Sequence, residues 1–318
     1  MIRLVRNELR RYGSRPVIVL LLVAAALLTA IIAGVTAWDS RPPSASELET
    51  ARVQQSLAQG SAELRKCLAD PDNYLGPGAT PAACRAALPV ETADYLPREP
   101  LDLRGTLEGN GLGVALLVAA LLIIAACLYA GSDFTSGSIS TQALFAPART
   151  RLWFAKACAV ALWSALVSVV VLGGFWLSLV LVAADRGIPH GSAILEDVSW
   201  HVARAVVFCI AGALGGFALT VIFRHAAATL GLLFLVSIGG EVVLALSTVD
   251  GLVRWTVGAN VFGWLQTRLV YVDSGLHCGL SGCGQRERLT HPETGLYLLA
   301  LLAVALLASM LTFRRRDL

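Results

Sequence analysis

The chain has 318 residues, of which 56% are hydrophobic and only 15% charged, and its net charge is +3. A soluble domain carries about 25% charged residues, and one or two soluble cores cannot hide so much apolar surface. Intrinsic disorder is excluded by the hydrophobicity and a nucleic-acid partner by the weak positive charge, so the composition predicts a chain embedded in a membrane.

In chain order, residues 1–15 come first. Ile2, Val5 and Leu9 recur at helical spacing, with Arg3, Arg6 and Arg10 elsewhere. The pattern predicts an interfacial helix lying on an anionic membrane face; an ordinary basic flank that fixes topology is the simpler alternative. Six stretches then have the roughly 20 mostly apolar residues that a span needs. They are 16–38, 111–130, 157–184, 205–223, 226–249 and 295–313, the fifth interrupted by Glu241. The first is too long for the apolar run of a signal peptide, about 7–15 residues. The predicted fold is therefore all-α, with six transmembrane helices forming one transmembrane domain.

Between spans 1 and 2, residues 39–110 are long enough for their own structure. Ser46 and Glu49 have capping-box spacing, and Val53, Leu57, Leu64 and Leu68 follow at helical intervals. A helix from about Ser46 to Ala69 is expected, with Gly60 as its weak point. Six of the chain's twelve prolines fall between Pro71 and Pro100, so that stretch reads as extended and irregular. This loop either gates an exit path or forms a rigid cap. Before span 6, residues 250–294 are too polar for a clean span but carry Trp255, Phe262, Trp264 and Tyr271. Within them, residues 251–272 read as one or two short re-entrant-like helices at the interface, where Trp and Tyr settle. Glycine pairs at 173–174, 215–216 and 239–240 suit close helix packing.

Lysine and arginine set the orientation. With the N-terminus inside, segments 1–15, 131–156, 224–225 and 314–318 hold 12 basic and three acidic residues. The outer segments hold 13 basic and 18 acidic residues over a far greater length. Both termini are expected in the cytoplasm. Four cysteines, Cys67, Cys84, Cys278 and Cys283, fall in loops assigned to the oxidising side. Local pairs, Cys67 with Cys84 and Cys278 with Cys283, are the expected disulfides, although four cysteines allow three connectivities. For Cys278 and Cys283, free thiols or a metal site with His277 and His291 are the alternatives; the spacing matches no standard zinc pattern, so no metal is expected.

No H-E-x-x-H, G-x-S-x-G or P-loop is present, and the only lysines, Lys66 and Lys156, follow no glycine-rich turn. No catalytic residue is expected. Glu241 is the one acidic residue within a span, a functional candidate by default. Three readings stand: an ion pair with an outer loop or partner chain, a polar wall of a translocation path, or a helix break that admits water. One carboxylate is poor equipment for an ion-driven transporter, so pumping would be powered by another chain.

The segment 131–156 carries the most information. Asp133 is placed to cap a short helix, Gly137 permits a turn, Ile139, Leu144 and Phe145 offer an apolar face, and Pro147 ends it. Arg149, Arg151 and Lys156 restart the chain at the headgroups. Such an element suits insertion into a partner's groove; a helix lying on the membrane surface is the alternative.

This segment resembles the permeases of type-2, or ABCG-like, ATP-binding-cassette exporters. The resemblance rests on Asp133-Phe134, Gly137-Ser138, Pro147, Arg149 with Arg151, and Lys156 opening the third span, with Ser138 where the family has Thr. Six spans, an N-terminal interfacial helix and a re-entrant-like segment before the last span extend it over most of the chain except 39–110. It implies a permease subunit working with a separate ATP-binding subunit and a second permease copy, identical or related. It also implies a coupling helix within 131–147 seated in the ATPase, with ATP and Mg on that partner and no cofactor here. The alternatives are a non-transporting sensor or scaffold using the outer loop, and an intramembrane enzyme. The Ala, Gly and Arg bias with two lysines points to a bacterial source and hence to the cytoplasmic membrane, with lipids as the surrounding partners. No nucleic-acid partner is expected, and the substrate is not read from the sequence.

Overall fold

A computed structural model describes residues 1–59, 62–88, 92–139, 142, 148–240, 252–266, 269–272, 278–279, 282–283 and 286–315. Its contacts divide the chain into a unit of 1–33 with 103–318 and a unit of 34–102.

The first unit is helical. It begins with α1 (Ile2–Gly13) and α2 (Pro16–Asp39), which runs on into the second unit. There follow α7 (Leu103–Glu108), α8 (Asn110–Thr135), α9 (Arg149–Asp185), α10 (Ser192–Phe223), α11 (Ala226–Phe234), α12 (Val257–Leu265) and α13 (His291–Arg315). Five helical stretches are long and apolar enough to cross a membrane: Pro16–Asp39, Leu103–Thr135, Arg149–Asp185, Ser192–Phe223 and His291–Arg315. This is a multi-pass membrane protein. Leu20, Leu27, Ile31, Leu299 and Val304 are exposed on α2 and α13, which is how a helix meets lipid when neither neighbour nor water competes for its apolar side chains.

Five, not six, is the number among the described residues. The fifth predicted span appears as a shorter apolar helix, Ala226–Gly239, whose last turn, Leu235–Gly239, is a π turn. At about 1.5 Å per residue it covers roughly 21 Å, less than a hydrocarbon core of about 30 Å. The remainder of that predicted span, with Glu241, lies outside the described residues.

α8 is the most buried of the five spanning stretches and forms the centre of the bundle against α9 and α10. Close approach there depends on glycine. A Cβ on Gly216 would stand 3.0 Å from Cys127 Sγ and 3.1 Å from Ile123, and one on Gly131 would stand 2.8 Å from Ala226 Cβ. α10 ends on Arg224, whose backbone is left-handed (φ 58°) and whose N–H donates to Thr220 O at 2.7 Å. That one residue turns the chain directly into α11. Thr256 caps α12 by accepting from Ala259 N at 3.0 Å.

Before α13 the described residues form a short 3-10 turn (Leu252–Trp255), α12 and two antiparallel ladders. The ladders pair β1 (Leu269–Val272) with β4 (Arg286–Leu289), and β2 (Cys278–Gly279) with β3 (Gly282–Cys283). The reading of 251–272 as short helices is corrected only at its end, where Leu269–Val272 forms a strand: β-branched and aromatic residues there favour one. Cys278 and Cys283 are partners in backbone register; their side chains, and with them the expected disulfide, lie outside the described residues, as does His277.

The second unit holds α3 (Ala45–Gln59), α4 (Ala62–Ala69), α5 (Pro71–Leu75) and α6 (Pro81–Ala87). Cys67 and Cys84 form a disulfide, as the spacing predicts. The capping box lies two residues before the predicted one. Ser44 N donates to Glu47 Oε2 at 2.7 Å and Glu47 N donates to Ser44 Oγ at 3.3 Å, while Arg98 donates to Glu47 Oε2 at 2.5 Å. Ser46 and Glu49 have the same spacing, but only the Ser44 pair stands at the helix boundary set by Pro42-Pro43. The Ser44 N–H first, and then the Arg98 guanidinium, lower the Glu47 carboxyl from 4.5 to about 2. A carboxylate whose folded value is depressed contributes its stabilisation above the unfolded value and loses it as pH falls through the folded one. The start of α3 is thus expected to lose amide protection between pH 4.5 and 2. A carboxyl-carbon NMR titration should place Glu47 near the lower limit, and Arg98→Gln should move it upward; an unshifted Glu47 in the wild type contradicts the cap.

Candidate functional site

α1 packs on the end of the bundle where α8 finishes and α9 begins, and the joint is ionic. Glu8 and Arg11 project from one face of α1, with Tyr12 and Arg15 a turn on. α8 contributes Tyr129, Ser132 and Asp133, and α9 contributes Lys156. The Asp133 side chain is 1% exposed and that of Lys156 3%.

Asp133 is the hub. Its Oδ1 accepts from Arg11 Nη2 at 2.9 Å and from Arg15 Nη2 at 2.6 Å, and its Oδ2 accepts from Lys156 Nζ at 2.5 Å. Ser138 Oγ lies 3.3 Å from Oδ1. Glu8 is the second anion: it accepts from Lys156 Nζ at 3.2 Å, from Arg11 Nη1 at 3.3 Å and from the Tyr129 hydroxyl. Arg15 also donates to Tyr129 O at 2.9 Å and to Ser132 Oγ, with its guanidinium 5.0 Å from the Tyr129 ring centre. Burial pulls the Arg11 guanidinium down, but Asp133 and Glu8 beside it prevail and hold it above its ordinary value. Burial pushes the Tyr12 phenol up. Tyr12 stacks on Trp163 of α9 at 6.1 Å, and Trp163 Nε1 donates to Leu9 O at 3.0 Å.

Two carboxylates, both nearly closed to water, therefore share three cations, of which Lys156 is buried with them. Pulling α1 away from α8 and α9 would strand buried charge, which is strongly destabilising.

The residues singled out by sequence divide into three sets. Asp133, Ser138 and Lys156 are joined in this cluster. Phe134 is half-buried with the Arg224 guanidinium 5.9 Å from its ring centre, Gly137 has a left-handed φ of 68°, and Arg149 and Arg151 stand in the first turn of α9. Leu144, Phe145, Pro147 and Glu241 lie outside the described residues, so no short helix over 140–147 is described. Glu8, Arg11, Arg15 and Tyr129 are functional candidates that the sequence reading did not single out. One signal was present: Glu8 and Asp133 are two of only three acidic residues in the basic segments, and a lone carboxylate among arginines is a candidate for burial with them.

The interfacial reading of α1 is altered in one respect. Its apolar stripe includes Ile2, which is 85% exposed, while the face turned to the bundle carries Glu8 and Tyr12. Val5 and Leu9 of the same stripe are half-buried, and the outward side carries Arg3, Arg6 and Arg10.

A large cavity of about 2010 Å³ lies elsewhere, between α8, α10, α11, α12 and α13. Trp200, Arg204 and His291 stand in its wall.

No family model matches the chain, and no curated protein matches it either.

Proposed function

We propose that the chain is the permease subunit of an ATP-driven exporter of the type-2, ABCG-like class. It works with a separate ATP-binding subunit and a second permease copy in a bacterial cytoplasmic membrane. In this reading residues 226–249 complete a sixth span, both termini are cytoplasmic, and 131–156 is the coupling segment. The observation that carries it is the Asp133–Lys156 ion pair. It ties a residue near the start of the candidate coupling segment to the residue that closes it, and Glu8 and Arg11 of α1, with Arg15 just after it, tie both to the N-terminal helix. A push on that segment would then reach α8 and α9 as one body instead of being absorbed by a loose loop. Glu241 is proposed to line the path or to pair within the membrane.

The alternative of a non-transporting sensor is favoured by one observation, the separate disulfide-tied unit 34–102. The two readings part on one measurement. Full-length protein affinity-purified from its own membrane in mild detergent should carry a Mg-dependent ATPase activity that Phe134→Ala lowers about tenfold, with the partner still bound. A purified complex without ATP hydrolysis, or full activity in the variant, overturns the coupling assignment.

A further inference from the structure

The cavity between α8, α10, α11, α12 and α13 has a composition that points to its occupant. Its volume of about 2010 Å³ is roughly twice the upper end of ordinary small-molecule pockets, about 1,000 Å³. Leu116, Ile123, Leu214, Phe234, Phe262 and Leu302 represent walls that are apolar almost throughout. Along α10 the lining continues from Arg204 to Leu219, roughly 22 Å at about 1.5 Å per residue. One leaflet of hydrocarbon is about 15 Å deep, half a core of about 30 Å. The apolar wall is therefore long enough for an extended acyl chain.

The charged side chains are concentrated at one end. Asp197, Arg204 and His291 line that end, with Trp200 and Trp264 beside them. Asp197 is already engaged, accepting from Arg104 at 3.3 Å. Arg204 feels the charge of Asp197 but forms no ion pair with it. Its Nε donates to Trp200 O at 3.2 Å and its Nη1 meets His291 Nε2. His291 Nε2 also stands 2.9 Å from Gln266 O. A single ring nitrogen cannot donate to Gln266 and accept from Arg204 at once, so the imidazole serves only one of them. No carboxylate among the described residues comes within ion-pair distance of Arg204. A half-buried guanidinium at the mouth of a long apolar cavity calls for an anion with a hydrocarbon tail.

We propose that this cavity binds an anionic membrane amphiphile of the phospholipid type, its charged headgroup on Arg204 and one chain along the α10 wall past Gly215. The site is distinct from the Asp133 cluster and does not depend on the transport reading, because binding is a property of this chain alone. Gly215 supplies a clean obstruction. A Cβ there would meet only Leu302, at 3.9 Å, so a large side chain enters the cavity without separating α8 from α10.

The test is native mass spectrometry of delipidated full-length protein, titrated with dioleoyl phosphatidylglycerol or chain-matched dioleoyl phosphatidylcholine. The wild type should bind the anionic lipid about tenfold more tightly, the scale of a charge-assisted contact. Arg204→Gln should abolish that preference and Arg204→Lys should keep most of it. Gly215→Phe, with Leu302→Trp as a second obstruction from the facing wall, should weaken both lipids about tenfold. Inorganic phosphate should not displace phosphatidylglycerol. Equal affinity for the two lipids in the wild type overturns the proposal, as does a preference that survives Arg204→Gln. Displacement by phosphate would make this a free-anion site, and unchanged binding in both obstructed variants would place the lipid elsewhere; either result also defeats it.

Discussion

Asp133→Ala is expected to destabilise the full-length protein by about 3–5 kcal/mol, the usual result of removing one partner from a buried ionic cluster. Arg11, Arg15 and Lys156 all rest on this carboxylate, at 2.9, 2.6 and 2.5 Å. After its loss only Glu8 remains to face them, already engaged by Arg11, Lys156 and Tyr129. Lys156 suffers most, since its ammonium is buried and has no route to water. The companion variant decides the cause. Adding Lys156→Met to Asp133→Ala removes the stranded charge along with the carboxylate, and replacing a whole buried pair by apolar groups is often close to neutral. The double variant should therefore regain much of the lost stability. Denaturant unfolding in detergent, followed by tryptophan emission, measures both. A cost below about 1 kcal/mol for Asp133→Ala is the figure for a solvated surface pair and would remove the cluster as the joint between α1 and the bundle. Added salt should change little, because screening acts weakly on buried pairs.

That cluster shows where sequence stops being informative. The spans were legible because a bilayer imposes a length and a composition on each one separately, and runs such as 16–38 satisfy both without reference to any neighbour. The partners of Asp133 were not legible, because Arg11 lies 122 residues away and Glu8 lies 148 residues from Lys156. Nothing local encodes which arginine a carboxylate will meet. α1 illustrates the same limit on one helix. Its periodicity correctly implied a helix, but the stripe of Ile2, Val5 and Leu9 gives no sign of the neighbouring pattern, Glu8 with Arg11 and Tyr12 at three- and four-residue spacing and so on one face, with Arg15 just beyond the helix end. Hydrophobic periodicity finds the face that avoids water, not the face that another helix will neutralise. The displaced capping box has a simpler origin. Ser44-x-x-Glu47 and Ser46-x-x-Glu49 are equivalent patterns, and the distant Arg98 supports only the first. Arg204 escaped notice because an arginine at the start of a span normally reads as a flank; only the wall around it distinguishes it.

Loss of the Cys67–Cys84 bond is expected to destabilise the unit of 34–102 by about 3 kcal/mol while leaving the spans folded. The bond closes a loop of sequence separation 17, and a loop near that length limits the unfolded chain by about 3 kcal/mol. This unit has little else to rely on. α4, α5 and α6 have eight, five and seven residues, well under the roughly 12–15 that an isolated helix needs. Its buried apolar side chains include Ala51, Leu64 and Leu101 beside the two cysteines, a thin core for a unit of a size that commonly requires staples. The Cys67→Ser, Cys84→Ser double variant, or the wild type under mild reductant, should therefore exchange amide hydrogens rapidly across 45–87. Protection in α8, α9 and α10 should remain, since those helices belong to a different contact unit. Hydrogen exchange read by mass spectrometry resolves the two regions in one experiment. Unchanged protection of 45–87 in the reduced protein would mean that helix packing, not the crosslink, holds the unit. Simultaneous loss of protection in α8 would mean that the two units unfold together.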